Sequence, residues 1–188
     1  MGAVGLTNIA DVVSEFQEGL TGYIGVISSD HAYIHKGFAF TSIINTGATA
    51  VAYDICFTTP DSGKYIHWRP ISIVSSADFV TIEMTEGETF TDGTAVTPIN
   101  RNRNNLTASA MQAFVKGATC TPAGTLLYSA GVGSSGSPVS IGGGLDAASE
   151  ELLLKPDTTY AITLTPDAET TCILELFWYE EAGSDPDA

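Results

Sequence analysis

EELLLKPDTTYAITLTPDAETTCILELFWYEE, residues 150–181, carries the clearest strand pattern in the chain. Leu152 and Leu154 alternate with Leu153 and Lys155, and Pro156-Asp157 follows as a turn signal. Tyr160, Ile162 and Leu164 then alternate with Ala161, Thr163 and Thr165 up to a second turn signal, Pro166-Asp167. Ile173 to Tyr179 runs on with few polar breaks. Alternation with period two, punctuated by Pro and Asp, predicts strands joined as antiparallel hairpins. A last strand this apolar is expected in the middle of its sheet, buried on at least one face. No catalytic motif lies in the stretch.

Upstream the same pattern repeats. Residues 33–46 read as a first strand ended by Asn45-Thr46-Gly47, and residues 50–59 as a second with Val51, Tyr53, Ile55 and Phe57 on one face. Pro60-Asp61-Ser62-Gly63 is a strong turn, because Pro presets φ and Gly accepts positive φ. Residues 64–75 are a third strand with a possible break at Pro70, and 79–85 a fourth. Residues 87–109 read as a polar excursion with little regular structure, followed by strands at 110–116 and 125–130. Residues 131–144, with six Gly and four Ser in fourteen positions, read as a loop. Eight or nine short strands without βαβ alternation predict an all-β, jelly-roll-like antiparallel β-sandwich.

The N-terminal residues 1–30 are the least β-like. Asn8 caps a predicted short helix carrying Ile9, Val12, Val13, Phe16 and Leu20 at spacings of three and four. Three parts are expected: an arm or docking helix over 1–30, the sandwich over 31–182 and an acidic tail over 183–188.

Seven Lys and Arg face twenty-two Asp and Glu, a formal net charge of −15. Nucleic-acid affinity comes largely from cations that displace counterions, so genome binding is not expected. No apolar run approaches the ~18 residues of a membrane span, so no membrane partner is expected. The first residues carry acids where a secretory signal has Lys or Arg. Cys56, Cys120 and Cys172 are odd in number and far apart, which predicts buried, unpaired thiols in a reducing compartment.

Candidate chemistry is sparse. His31 and His35 fall in a segment read as extended, where they share a face roughly 13 Å apart, too far for one ion. His35 and His67 on neighbouring strands would lack further ligands, so no metal or cofactor is expected. Acid pairs such as Glu86/Glu88, Asp54/Asp61 and Glu180/Glu181 have nothing to set a catalytic separation. Gly142-Gly143-Gly144 lacks the Lys of a phosphate loop, and Ser134-Ser135 has no partnered His. An enzyme is not expected. Arg101, Asn102, Arg103 and Asn104 concentrate two of the seven cations in one loop. Arg forks there could pair with carboxylates of a partner; alternatively the Asn side chains satisfy turn backbone. Trp68, Phe177, Trp178 and Tyr179 are either core or a sugar-binding platform, and alternation favours core.

Several segments, taken in order, resemble a family of small tailed-phage virion proteins. They are HKGFAFTSI, FTTPDSGKYIHWRPISI, EGETFTDGTAVTPINRNRN, the GVGSSGS and IGGG stretch, EELLLKPDTTYAITLT and LELFWYEE, which together cover roughly residues 31–181. The resemblance implies a virion structural protein with a jelly-roll-like fold and no catalytic residues. Capsid decoration is the role it suggests, with the major capsid protein and further copies of this chain, most simply a trimer, as partners. Such a protein is made in the host cytoplasm and ends on the capsid exterior. The partner-binding residues expected are Ile9, Val12, Val13 and Phe16 of the arm, and Arg101, Asn102, Arg103 and Asn104. The second expectation is a receptor- or glycan-binding head of a fibre or tail tip.

Overall fold

The computed structural model describes residues 29–181, except 62, 70–71, 77, 122–123, 134–142 and 145–150. The predicted arm helix with Ile9, Val12, Val13 and Phe16, and the acidic tail, lie outside the described residues.

The described chain opens with helix α1 (Ser29–Lys36), where residues 33–36 were expected in a strand. Gly37 ends it at φ 75°, with Gly37 N–H bonded to Ile34 O and Phe38 N–H to Tyr33 O. A left-handed glycine closing a helix in this way satisfies its last carbonyls. Strand β1 (Ala39–Thr49) then runs straight through the expected turn at Asn45-Thr46-Gly47. Gly47, at φ 69°, forms a bulge in its pairing instead.

Next come β2 (Tyr53–Thr58), β3 (Tyr65–Trp68), β4 (Ser72–Ser75) and β5 (Val80–Glu86). Expected irregular residues 87–109 contain three short strands, β6 (Thr89–Thr91), β7 (Thr94–Ala95) and β8 (Ile99–Asn100). Their burial is slight, so no apolar alternation announces them. The order closes with β9 (Gln112–Thr121), β10 (Thr125–Val132), β11 (Gly143–Gly144), β12 (Leu152–Leu154), β13 (Thr159–Pro166) and β14 (Thr170–Glu181).

Two antiparallel sheets of seven strands make a β-sandwich. The first runs β11-β4-β14-β1-β8, with β3 also on β14 and β12 on β3; the second runs β10-β5-β13-β2-β9-β6, with β7 on β9. Long β14 is central, as expected: β1 lies on one side, and β4 and β3 share the other. The hairpin expectation fails, however. β12 and β14 belong to the first sheet and β13 to the second, so both Pro-Asp turns are corners between sheets.

The core lies where the period-two pattern put it. Phe40 and Ile44 of β1, and Leu174, Leu176 and Trp178 of β14, meet Ile55 and Phe57, Val80, Ile82 and Met84, and Tyr160, Ile162 and Leu164 of the second sheet. Trp68 stacks on Trp178 at 5.8 Å and on Phe57 at 4.8 Å between centroids. A second, small cluster of Cys56, Ala118 and Ala161, covered by Phe90, Val115 and Cys120, buries the opposite side of β2. Here the sulfurs of Cys56 and Cys120 are paired as a disulfide across β2 and β9, which overturns the expectation of three separate thiols. Sixty-four residues separate the two, and only strand pairing brings them together. Cys172 is free and buried, and burial pushes its thiol up.

Candidate functional site

Because residues opposite each other on paired strands share a face, the outer side of the first sheet can be read row by row. Ile43 stands opposite Glu175, Asn45 opposite Ile173, and Thr41 opposite both Phe177 and Ile99. These side chains alternate with the core residues of β1 and β14 and leave Ile43 64%, Ile173 45% and Ile99 43% exposed. Phe177 is half-buried because the Arg101 guanidinium lies 4.6 Å from its ring centre. The result is a solvent-facing surface on which three isoleucines are interspersed with Thr41, Asn45 and Glu175 and which Arg101 borders.

The loop that supplies that arginine is held by its own side chains. Asn100, buried on β8, donates through Nδ2 to Gly37 O and Thr107 O and accepts Asn102 N–H at Oδ1. Asn102 Oδ1 accepts Asn104 N–H, its Nδ2 donates to His35 O, and Asn105 Oδ1 accepts Thr107 N–H. These are the local turns that Asn forms readily, so Asn100, Asn102 and Asn105 serve the loop's backbone. Arg101, Arg103 and Asn104 are left exposed, together with Leu106 at 95% exposure. The loop is therefore rigid and presents two cations and one bare leucine. Leu106 went unnoticed in the sequence because an isolated apolar residue in a polar loop carries no periodic signal. The structure brings Arg101 to the border of the isoleucine-bearing face, while the arm residues lie outside the described ones.

At the other end of the same face sits a polar cluster that the sequence did not announce. His67 Nδ1 lies 2.7 Å from Glu151 Oε1, and its Nε2 lies 3.3 Å from Glu181 Oε2. Arg69 Nε is 3.0 Å from Glu151 Oε2, and Tyr179 donates its hydroxyl to Glu151 Oε1 at 2.5 Å. Tyr33 of α1 and His67 both stack on Tyr179, at 4.2 and 4.4 Å. Burial alone would raise the Glu151 carboxyl, but hydrogen bonds from Tyr179 and His67 and the charge of Arg69 together hold it below its ordinary range. Burial, helped by Glu151, pushes the Tyr179 hydroxyl up, and burial with nearby Glu181 does the same for Tyr33. Chemically the cluster is a clamp. A nucleophile in an acyl-transfer site would face His67 Nε2, and here Glu181 occupies that direction. The clamp fastens α1, β3, β12 and the end of β14 to one another.

The expected acid pairs are also taken apart. Glu180 points inward and Glu181 outward, and Glu86 pairs with Lys155 at 2.5 Å and accepts from Tyr160 at 3.0 Å. The Lys155 hydrogen bond holds the Glu86 carboxyl low. Trp68 and Trp178 are core residues, so the aromatic platform a glycan-binding head requires is not formed by them. His31 and His35, expected 13 Å apart, stand one turn apart on α1 with their Nε2 atoms at 2.8 Å. Among the described residues, no group of three or more His, Cys, Asp or Glu side chains is arranged to hold a metal ion. Comparison with protein-family models, with curated proteins and with solved structures found no match for this chain.

Proposed function

We propose that this chain is a structural protein of a tailed-phage virion: a decoration protein that binds the outside of the capsid shell and steadies contacts between its capsomers. The observation that carries this reading is the open face of the first sheet, where Ile43, Ile173 and Ile99 are exposed and Arg101 lies over Phe177. Three exposed isoleucines on one sheet side of a chain of charge −15 give apolar area that a partner could cover. An apolar centre with an arginine at its border is how a protein interface is composed. The resemblance of the ordered motifs to tailed-phage virion proteins supports the shell as partner. The alternation of β12, β13 and β14 between the two sheets supports a jelly-roll-like topology.

In this reading the major capsid protein covers the three isoleucines, copies of the chain meet as a trimer on a symmetry axis, and the acidic remainder faces solvent. The arm, with Ile9, Val12, Val13 and Phe16, adds a second grip. The test is to add purified chain to capsids that lack it and to measure occupancy. Ile43→Thr combined with Ile173→Thr is expected to weaken binding sharply while leaving the melting curve of the free protein close to that of wild type, since threonine keeps the strand preference and both side chains are already exposed. Deleting residues 1–25 is expected to reduce occupancy without unfolding the sandwich. Undiminished binding by the isoleucine variant would overturn the face, and undiminished binding by the truncation would overturn the arm.

A further inference from the structure

The helical placement of His31 and His35 gives these residues a geometry that an extended segment denies them. Residues four apart on a helix share a face, one turn above the other. Their Nε2 atoms converge to 2.8 Å, and both side chains are exposed. The helix that carries them is pinned independently on three sides. Tyr33 stacks on Tyr179, Asn102 Nδ2 holds the His35 carbonyl at 2.9 Å, and Gly37 closes the last turn. A fixed backbone thus holds the two Nε2 atoms within reach of each other.

We propose that His31 and His35 form a two-imidazole chelate for one divalent transition-metal ion of tetragonal preference, Cu(II) or Ni(II). The separation the two rings already reach suits that geometry. Two nitrogens 2.8 Å apart, each ~2.0 Å from an ion, subtend about 90° at it, the angle of neighbouring positions in a square or octahedral site. A tetrahedral zinc site at the same bond length would need them about 3.3 Å apart. Before binding, one ring donates its Nε2 proton to the other ring's Nε2 lone pair. On binding, that proton moves to Nδ1 of its own ring, and both Nε2 lone pairs go to the ion. Among the described residues no third ligand completes a cluster, so water fills the remaining positions. His67 is not a competitor, because both of its ring nitrogens are engaged by Glu151 and Glu181.

The test is calorimetric titration of the full chain with Cu(II), Ni(II) and Zn(II) in the presence of excess Mg(II), which occupies loose carboxylate sites. One Cu(II) per chain is expected, with affinity falling in the order Cu(II), Ni(II), Zn(II). The Cu(II) complex should show an electron paramagnetic resonance spectrum with two coordinated imidazole nitrogens. His31→Ala and His35→Ala should each weaken binding at least about tenfold, since each removes one arm of the chelate. Both side chains are exposed, so circular dichroism and melting without metal should match wild type. Saturable binding that both variants retain unchanged would overturn the proposal, as would the absence of binding at ~100 μM free Cu(II), well above what two positioned imidazoles require.

Discussion

Glu180 shows how much one side chain can hold. Its carboxylate is fully buried between the sheets and accepts from Ser109 Oγ at 2.5 Å, from Ala110 N–H at 2.9 and 3.0 Å, and from Trp178 Nε1 at 3.3 Å. Lys64, 3.3 Å away, neutralises it. A buried carboxylate is tolerated only when it is paired and bonded in this way. Glu180→Ala is therefore expected to cost about 3–5 kcal/mol by chemical denaturation, because three donors and a lysine lose their acceptor. A loss below about 1 kcal/mol would contradict the assignment. Glu151, on the surface, is tested by pH. Its folded-state carboxyl titrates below the ordinary value of 4.5, so its contribution is present above that value and lost as pH falls through the folded one. Wild type should exceed Glu151→Gln in stability at pH 7, and the gap should narrow as pH falls below 4.5. A gap unchanged at pH 3 would show that the clamp contributes nothing electrostatic.

At the scale of elements, alternation told inside from outside but not which strand meets which. Tyr160, Ile162 and Leu164 point into the core as their spacing required, and β14 is central as its apolar run required. That β13 crosses to the other sheet was not legible, because a Pro-Asp turn suits a hairpin and a corner equally. What decides is long-range: Asp157 N–H bonds to Pro60 O, Thr158 N–H to Thr59 Oγ1, and Asp167 N–H to Phe79 O, corner against corner. Helix α1 was missed for a related reason. Tyr-Ile-His at 33–35 has strand-like residues, and Gly37 with Asn105 overrules them from outside the segment. A Cβ on Gly37 would sit 1.9 Å from Asn105 Nδ2, and the residue is at positive φ. Gly37→Ala should cost about 1–2 kcal/mol from the backbone alone. It should also loosen the 101–106 loop, read as faster proteolysis at Arg101 and Arg103. Unchanged stability and cleavage would contradict this docking.

At the scale of the whole molecule, the charge balance takes on a spatial meaning. Lys64, Arg69 and Lys155 are bound to carboxylates of the fold, and Arg101 to an aromatic ring. Three of the seven cations are thus paired with carboxylates, which leaves nineteen of the twenty-two acids without a cationic partner among those pairs. Against that surface the three isoleucines expose apolar area on one sheet face, which is what the proposed docking uses. Their shared face was not legible in sequence, since Ile43 and Ile173 look like any other strand residues until their register is known. The loop of Arg101 and Arg103 was legible, by the rarity of cations. The central claim, a protein spread over a phage shell, is tested most directly by quantitative mass spectrometry of purified particles, counting this chain against the major capsid protein. A decoration protein gives a ratio near one to one or a simple fraction such as one third. A few dozen copies per particle would contradict decoration and move the chain to a fibre, tail or vertex, and none would remove it from the virion.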